Sequence, residues 1–304
     1  MKIGFIGLGK MGSGMAACIL KGGYALTVYD MQRDSGEFLV KEGASWGNSP
    51  KKVAEVSDVI FTSLPGPKEV KEVALGENGI IEGIRKNSTY IDLSSSSPTL
   101  IRTIYELFKE KGANVMDAPV SGGQQGAAAG KLSMMVGGDE AVFNKVKPVL
   151  EKIGEKITYC GDVGSGSVCK IVHNCMLITS QVVAAECFTL GVKAGVKPRV
   201  LWQTVKDGAM GKGLLLKRLL PATYFRGNFD KPSMALRLGF KDMDLATSLG
   251  RELKVPMALA NITWGEFATA TNRGWAEKET CSIMLLQEER AGNIEVRIPD
   301  AEIE

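Results

Sequence analysis

Lys2-Ile-Gly-Phe-Ile-Gly-Leu-Gly-Lys-Met-Gly-Ser-Gly-Met-Ala16 reads as strand, glycine turn and helix in that order. Gly7-x-Gly9-x-x-Gly12 falls where an apolar strand over Lys2–Gly7 should end and a helix over Met11–Lys21 should begin. The first glycine permits a tight turn, the second lets a pyrophosphate approach the backbone, and the third lets helix pack on strand. The N-terminus of that helix would add free N–H donors and a positive dipole end. A second apolar strand, Leu26–Tyr29, ends at Asp30, about 20 residues beyond the turn, where a carboxylate accepts ribose hydroxyls. Such a carboxylate repels a 2′-phosphate, so NAD is expected rather than NADP, with Arg33 close enough to soften that preference. Gly7, Leu8, Gly9, Met11, Gly12 and Asp30 are therefore the expected cofactor contacts of an α/β, doubly wound dinucleotide-binding domain.

Working outward, strand and helix continue to alternate. Ser49-Pro50 and Ser97-Pro98 each pair a capping residue with a proline at the first helical position. Asp58–Ser63 and Thr89–Leu93 read as strands, and each runs into a loop at its carboxyl end, around Leu64-Pro65 and Ser95. Ligands of open parallel sheets sit outside such ends, so both loops are expected to touch the cofactor. Further strands are expected at Asn114–Ala118 and Lys131–Gly137. The former leads into Asp117-Ala-Pro-Val-Ser121-Gly122-Gly123, whose serine and two glycines can turn consecutive N–H groups toward an anion or simply form a turn.

A long apolar run, Ile171 to Phe188, follows, with Glu186 as its one full charge. It predicts a helix reaching about Ala194, apolar on every side and therefore buried all round. Lys170 and Asn174 lie four apart near its start and so share one face. A lysine entering a buried helix must find an anion, snorkel to water or give up its proton, which makes Lys170 a candidate acid/base. Asn174 could hold a substrate hydroxyl or carbonyl beside it. Beyond it only helix-period segments are expected: Pro198–Val205, Leu214–Leu220, Met234–Leu253, Met257–Asn272 and Lys278–Glu289. The expected organisation is a dinucleotide-binding domain over 1–163 and an all-helical substrate and oligomerisation domain over 164–291, joined by the long helix. A polar, flexible tail is expected over 292–304.

Four blocks, in this order, resemble the β-hydroxyacid dehydrogenase family: Gly7–Gly12, Asp-Ala-Pro-Val-Ser-Gly-Gly at 117–123, Gly-x-Gly-x-x-x-Lys-x-x-x-Asn at 164–174, and Lys241-Asp242-Met243-Asp244-Leu245-Ala246. The resemblance spans nearly the whole chain. It implies that Ser121, Gly122 and Gly123 bind a substrate carboxylate, that Lys170 is the catalytic acid/base, and that Asn174 orients the substrate. It implies Lys241 and Asp242 beside the nicotinamide, and Leu64, Pro65 and Ser95 along the cofactor. The activity implied is reversible hydride transfer between NAD and a small 3-hydroxy carboxylic acid. Lys212, in Gly211-Lys212-Gly213, resembles sulfolactaldehyde reductases more than 3-hydroxyisobutyrate dehydrogenases, and could reach the distal end of an anionic substrate. His173, the one histidine, is expected to pack or support Asn174. Two alternatives stay open: an NADH-dependent reductase of a semialdehyde (tartronate semialdehyde or sulfolactaldehyde), and a non-catalytic NAD-binding module.

Composition excludes other classes. The chain has 304 residues, 44% hydrophobic and 23% charged, with a net charge of +3 spread without blocks, which argues against a nucleic-acid or membrane partner. A single histidine and six cysteines without a CxxC pair suggest no metal, reduced thiols and a cytoplasmic protein. A homodimer or homotetramer is expected.

Overall fold

The structure of the protein, a computed structural model, describes residues 1–302 except 238, 241–242, 244–246, 248–249, 252–253 and 294. It divides into two compact units, Met1–Met176 and Leu177–Glu304, and the division falls inside the long helix.

The first unit alternates strands and helices: β1 (Lys2–Ile6), α1 (Gly12–Lys21), β2 (Ala25–Tyr29), α2 (Glu37–Lys41), β3 (Ser45–Trp46), α3 (Pro50–Val56), β4 (Val59–Thr62), α4 (Pro67–Leu75) and α5 (Ile80–Gly83). β5 (Thr89–Asp92), α6 (Pro98–Glu110), β6 (Asn114–Asp117), β7 (Val120–Ser121), α7 (Gly123–Ala129), β8 (Leu132–Gly137), α8 (Glu140–Leu150) and β9 (Gly154–Gly161) follow, and then the long α9 (Ser165–Lys193). The strands form one sheet in the order β3-β2-β1-β4-β5-β6-β8-β7, with β9 also paired to β8. From β3 to β6 the pairing is parallel; β8 runs antiparallel to β6 and β7 and parallel to β9. The chain order reverses at β1, so the crevice beyond β1 and β4 is the switch point of a doubly wound sheet.

Strand parity explains why helices cover both faces. Val59, Phe61, Ile91 and Met116 pack in one core with Met15 and Ile19 of α1 and Phe143 and Val146 of α8. Their neighbours Ile60, Tyr90 and Val115 point the other way, into a core with Val53 of α3, Val70 of α4 and Ile104 and Phe108 of α6. Ser49, Ser97 and Asp139 cap their helices by accepting from Lys52, Leu100 and Val142 N–H at 3.2, 3.4 and 2.9 Å. Ser49 and Ser97 are the two caps expected from Ser-Pro. The three strands not anticipated are β3, β7 and β9. β3 and β7 hold two residues each, too few to show a period, and Glu155 and Lys156 disguise β9 as surface.

The second unit is helical among its described residues, with helices at Pro198–Asp207, Ala258–Asn272 and Leu285–Arg290 and a 3₁₀ turn at Thr280–Met284. One isolated bridge, Ala235 with Glu279, is its only described β feature. Leu215–Tyr224 winds as a π-helix around Pro221, which has no N–H to give to a normal turn. The segment expected as a helix over Met234–Leu253 lies partly outside the described residues. No described helix is long and apolar enough to cross a membrane.

Two expectations are corrected here. The long helix is not buried all round: Val168, Ile171, Val172 and Val183 are 43–54% exposed. An apolar run records what a helix prefers to touch, without saying whether its own chain supplies it. The described residues Val296–Ile298, within the stretch expected as a flexible tail, are held by specific contacts. Arg297 pairs with Glu288 at 2.7 Å and lies over the Tyr224 and Phe229 rings, while Val296 N–H donates to Glu288 and Ile298 N–H to Phe225 O. The polarity of that stretch hid a guanidinium with a buried carboxylate and two ring faces to satisfy it. Glu186, the charge inside the apolar run, accepts N–H bonds from Leu259 and Ala260 at 2.9 and 3.2 Å, and so caps the Ala258–Asn272 helix.

Candidate active site

The register aligns Tyr29, Ile6, Thr62, Asp92, Asp117 and Gly137 in one row across the carboxyl edge of the sheet. The residues just beyond that row therefore rim one crevice. Backbone bonds fix the rim: Gly7 N–H to Tyr29 O, Ser63 N–H to Ile6 O, Leu93 N–H to Thr62 O and Ala118 N–H to Asp92 O, all within 3.0 Å. Leu64 N–H donates to Ser94 Oγ at 2.9 Å, joining two of the loops. The structure thus brings the glycine turn, Asp30, Leu64, Pro65 and Ser95 to the same edge.

Each glycine of the turn has its own reason. Gly7 has φ +91°, and a Cβ there would lie 2.3 Å from Ser63 O. A Cβ on Gly12 would come within 1.9 Å of Gly7 O. A Cβ on Gly9 would meet nothing within 4 Å, so the space beside it is open for a ligand. Met11 stands at the N-cap of α1, and Leu8 is buried. The two oxygens of Asp30 accept Leu8 N–H at 2.7 Å and Gln32 N–H at 2.8 Å. Asp30 is therefore tied to the glycine turn itself, which the sequence did not disclose, and it stands directly after β2. Arg33 lies over the Trp46 ring at 5.2 Å. The open Gly9, the sealed Gly12, the helix N-terminus and the carboxylate together fit a dinucleotide.

Below the rim lies a buried polar chain that sequence reading missed. Thr62 Oγ1 donates to Asp92 Oδ1 at 2.8 Å and lies 2.9 Å from Tyr90 Oη, and Ser94 N–H donates to the same carboxylate oxygen at 3.1 Å. Asp92 Oδ2 is buried without a partner. Burial lifts the Asp92 carboxyl to about 6, against the hydrogen bonds from Ser94 and Thr62. A carboxyl raised in the folded state costs nothing below its unfolded value near 4 and costs most above 6. Asp92→Asn is therefore expected to be more stable than the parent at pH 8, by up to about 3 kcal/mol for two pKa units. That advantage should vanish at pH 4, as read from urea unfolding at the two pH values.

Ser121 ends β7, and Gly122 and Gly123, at φ +136° and +65°, lead directly into α7. First-turn N–H groups of a helix have no partner within it, so this loop offers donors to an anion. α7 packs on α1: Cys18 Sγ approaches Ala127 O and Ala128 O at 3.5 Å, and a Cβ on Gly14 would sit 3.0 Å from Ala128 N. The Ser121–Gly123 loop thus enters a helix packed directly on the helix of the glycine turn.

Lys170 lies in the second turn of α9 and is 8% exposed. Burial lowers its pKa from the usual lysine value. Asn174 is half-buried one turn on, its Oδ1 3.1 Å from His173 Nδ1. His173 thus touches Asn174 directly. Lys212 is exposed on a loop of the second unit, and Lys241 and Asp242 lie outside the described residues. A cavity of about 740 Å³ in the second unit, lined by Arg218, Asn228, Lys231 and Glu279 among others, contains none of the expected site residues. Among the described residues no His, Cys, Asp or Glu cluster is placed to hold a metal ion.

A dinucleotide crevice with a buried lysine in the same unit fits an NAD-linked oxidoreductase. Residues 2–161 match the NAD binding domain of 6-phosphogluconate dehydrogenase, and residues 164–286 the NAD-binding domain of NADP-dependent 3-hydroxyisobutyrate dehydrogenase. The chain belongs to the β-hydroxyacid dehydrogenase family and is an NAD-dependent hydroxyacid dehydrogenase. It is 36% identical to 2-(hydroxymethyl)glutarate dehydrogenase of Eubacterium barkeri, over 96% of both chains. It is 43% identical to a probable mitochondrial 3-hydroxyisobutyrate dehydrogenase of Dictyostelium discoideum, over 91% of this chain and 88% of that one. A solved structure of Mycobacterium tuberculosis 3-hydroxyisobutyrate dehydrogenase with L-serine superposes with a TM-score of 0.65 at 27% identity, covering 94% of this chain and 98% of the other.

Proposed function

We propose that the protein interconverts a small acid of the form HOCH2–CHR–COO⁻ and its semialdehyde, with Lys170 as the acid/base. The ligands named for its relatives, 2-(hydroxymethyl)glutarate, 3-hydroxyisobutyrate and L-serine, share that hydroxymethyl carboxylate and differ only in R. The observation that carries the assignment is the burial of Lys170 on the face it shares with Asn174, in the unit that also holds the Ser121–Gly123 loop.

Bound NAD supplies the hydride acceptor, and NADH the donor. Ser121 and the N–H groups of Gly122 and Gly123 hold the substrate carboxylate. Asn174 holds the reacting hydroxyl toward Lys170, with His173 Nδ1 fixing the Asn174 amide. Lys170 Nζ takes the hydroxyl proton in oxidation and returns it in reduction, for which a pKa below the usual lysine value is required. Its proton also stabilises alkoxide character on the oxygen. Asp30 receives the adenosine ribose, Gly7, Leu8, Gly9, Met11 and Gly12 the pyrophosphate, and Leu64, Pro65 and Ser95 line the cofactor. Lys241 and Asp242 are assigned to the nicotinamide side, and Lys212 to the distal end of R.

The exposed stripe Val168, Val172 and Val183 lies about 200° around α9 from Lys170, at about 100° per residue. We assign it to a second copy in a homodimer or homotetramer, which would bury it without obstructing the lysine. A cytoplasmic location agrees with five described cysteines that are all free thiols.

The test is a panel of acids differing in R (methyl, amino, hydroxyl, carboxyethyl) with NAD, and the matching semialdehydes with NADH, followed by NADH absorbance. Turnover of one member in either direction supports the proposal. NADH binding with silence across the panel would sink it in favour of a non-catalytic module. In the same assay, Asp30→Ala is expected to narrow the preference for NAD over NADP by about tenfold, or 1.4 kcal/mol. The removed carboxylate no longer repels a 2′-phosphate.

A further inference from the structure

Asp117 ends β6 and is 1% exposed. Its Oδ1 accepts Gly164 N–H at 2.7 Å and its Oδ2 accepts Ser167 N–H at 2.5 Å. Both donors belong to the entry of α9, from Gly164 to the first turn, where N–H groups have no intrahelical partner and the dipole favours an anion. A carboxylate supplied by a strand 47 residues earlier therefore does the work of an N-cap. The surroundings leave it no play. A Cβ on Gly137 would lie 2.5 Å from Asp117 Oδ1, and one on Gly166 would lie 2.2 Å from Met135 O and 2.8 Å from Asp117 O.

The same residue begins the segment Ala118-Pro119-Val120 that leads to Ser121, Gly122 and Gly123. One side chain thus joins the start of the anion loop to the start of the helix bearing Lys170, three residues past Ser167. We propose that Asp117 is the positioning residue of the active site, locking the first turn of α9 to the end of β6 so that Lys170 and Asn174 are held at a fixed offset from the Ser121–Gly123 loop. This rests on the assignment of Lys170 as the acid/base.

Among the described groups, those that sense the charge of Asp117 are Asp92 on β5 and Cys160 on β9. Burial is the cause of the Lys170 shift among the described groups. Loosening the first turn of α9 should therefore act on Lys170 by letting water in, which moves its titration upward. Loss of a nearby negative charge would move it downward.

The experiment compares wild type, Asp117→Asn and Asp117→Ala. Lysines are reductively methylated with ¹³C-formaldehyde, and the Lys170 resonance is identified by its absence in Lys170→Met. The wild-type resonance is expected to titrate below the other lysines, to move up to join them in Asp117→Ala, and to lie between in Asp117→Asn, which keeps one acceptor. The NADH dissociation constant should stay within about twofold of wild type, because a 1.4 kcal/mol change would already be tenfold. With a substrate from the panel, kcat should fall about 10- to 100-fold, the range of a reacting group slightly misplaced. An unchanged or lower Lys170 titration in a folded, NADH-binding variant overturns the proposal. Should Asp117→Ala fail to fold, Asp117→Asn decides on the same criterion. If no panel substrate turns over yet Lys170 still moves with Asp117, the positioning stands and the hydroxy-acid assignment falls.

Discussion

Lys170→Met is expected to lower kcat by about 10²- to 10⁴-fold, the usual contribution of a positioned proton-transfer group, while NADH still binds. The same substitution should make the protein more stable at neutral pH. Burial lowers the Lys170 pKa below its unfolded value, so the folded state binds fewer protons than the unfolded one between the two values. The charged form is penalised in the fold at every pH below the folded pKa, and the penalty disappears only above the unfolded value near 10.5. Methionine fills much of the same space without a charge to desolvate. Stability gained at pH 7, shrinking toward pH 10.5, together with lost turnover, identifies a lysine kept for chemistry at the expense of the fold. A variant that loses stability and activity together would mean that Lys170 is a structural residue. Both are read by chemical unfolding across pH and by the rate on the panel substrate.

Gly9→Ala and Gly12→Ala should separate the two uses of glycine in one turn. Gly9→Ala has no protein atom to meet within 4 Å, so its melting temperature should match wild type. Its methyl group would, however, stand where the pyrophosphate approaches the backbone, and NADH affinity should fall by at least about tenfold, or 1.4 kcal/mol. Gly12→Ala sets a methyl 1.9 Å from Gly7 O and 3.2 Å from Phe5 Cε1. The turn must open and α1 must lift from β1, a disruption of about 1–3 kcal/mol or more, with loss of NADH binding as well. Thermal melting and NADH fluorescence on both variants check this. Equal melting losses at Gly9 and Gly12 would show that the space beside Gly9 is not reserved for a ligand.

Much of the site was legible because its parts are local. The glycine turn, Asp30 at the end of the next strand, the Ser-Gly-Gly loop and the Lys170/Asn174 pair each lie within one short segment. Spacing along a strand or helix determines which residues share a face. What escaped were bonds between distant segments: Leu8 to Asp30, Thr62 to Asp92, and Asp117 to Gly164 and Ser167. Asp117 could have been suspected, since an aspartate in an otherwise apolar strand end needs donors, but nothing local names them. The same blindness made the segment after 292 read as loose, because Arg297 and Glu288 are both ordinary surface residues until the fold sets them face to face.

By itself the sequence determined the alternation of strands and helices, the switch to an all-helical second half, and the residue types of the crevice. All of these follow from short-range sterics and from hydrophobic period. Tertiary structure alone decided three further things. Strand register aligned Thr62, Asp92 and Asp117 in one buried row, because parallel pairing sets which residues of separate strands lie side by side. A carboxylate from β6 became the cap of α9, because a helix end buried in protein must find an acceptor for its free N–H groups. The apolar run of α9 kept an exposed face, because hydrophobicity rewards burial without specifying which surface provides it.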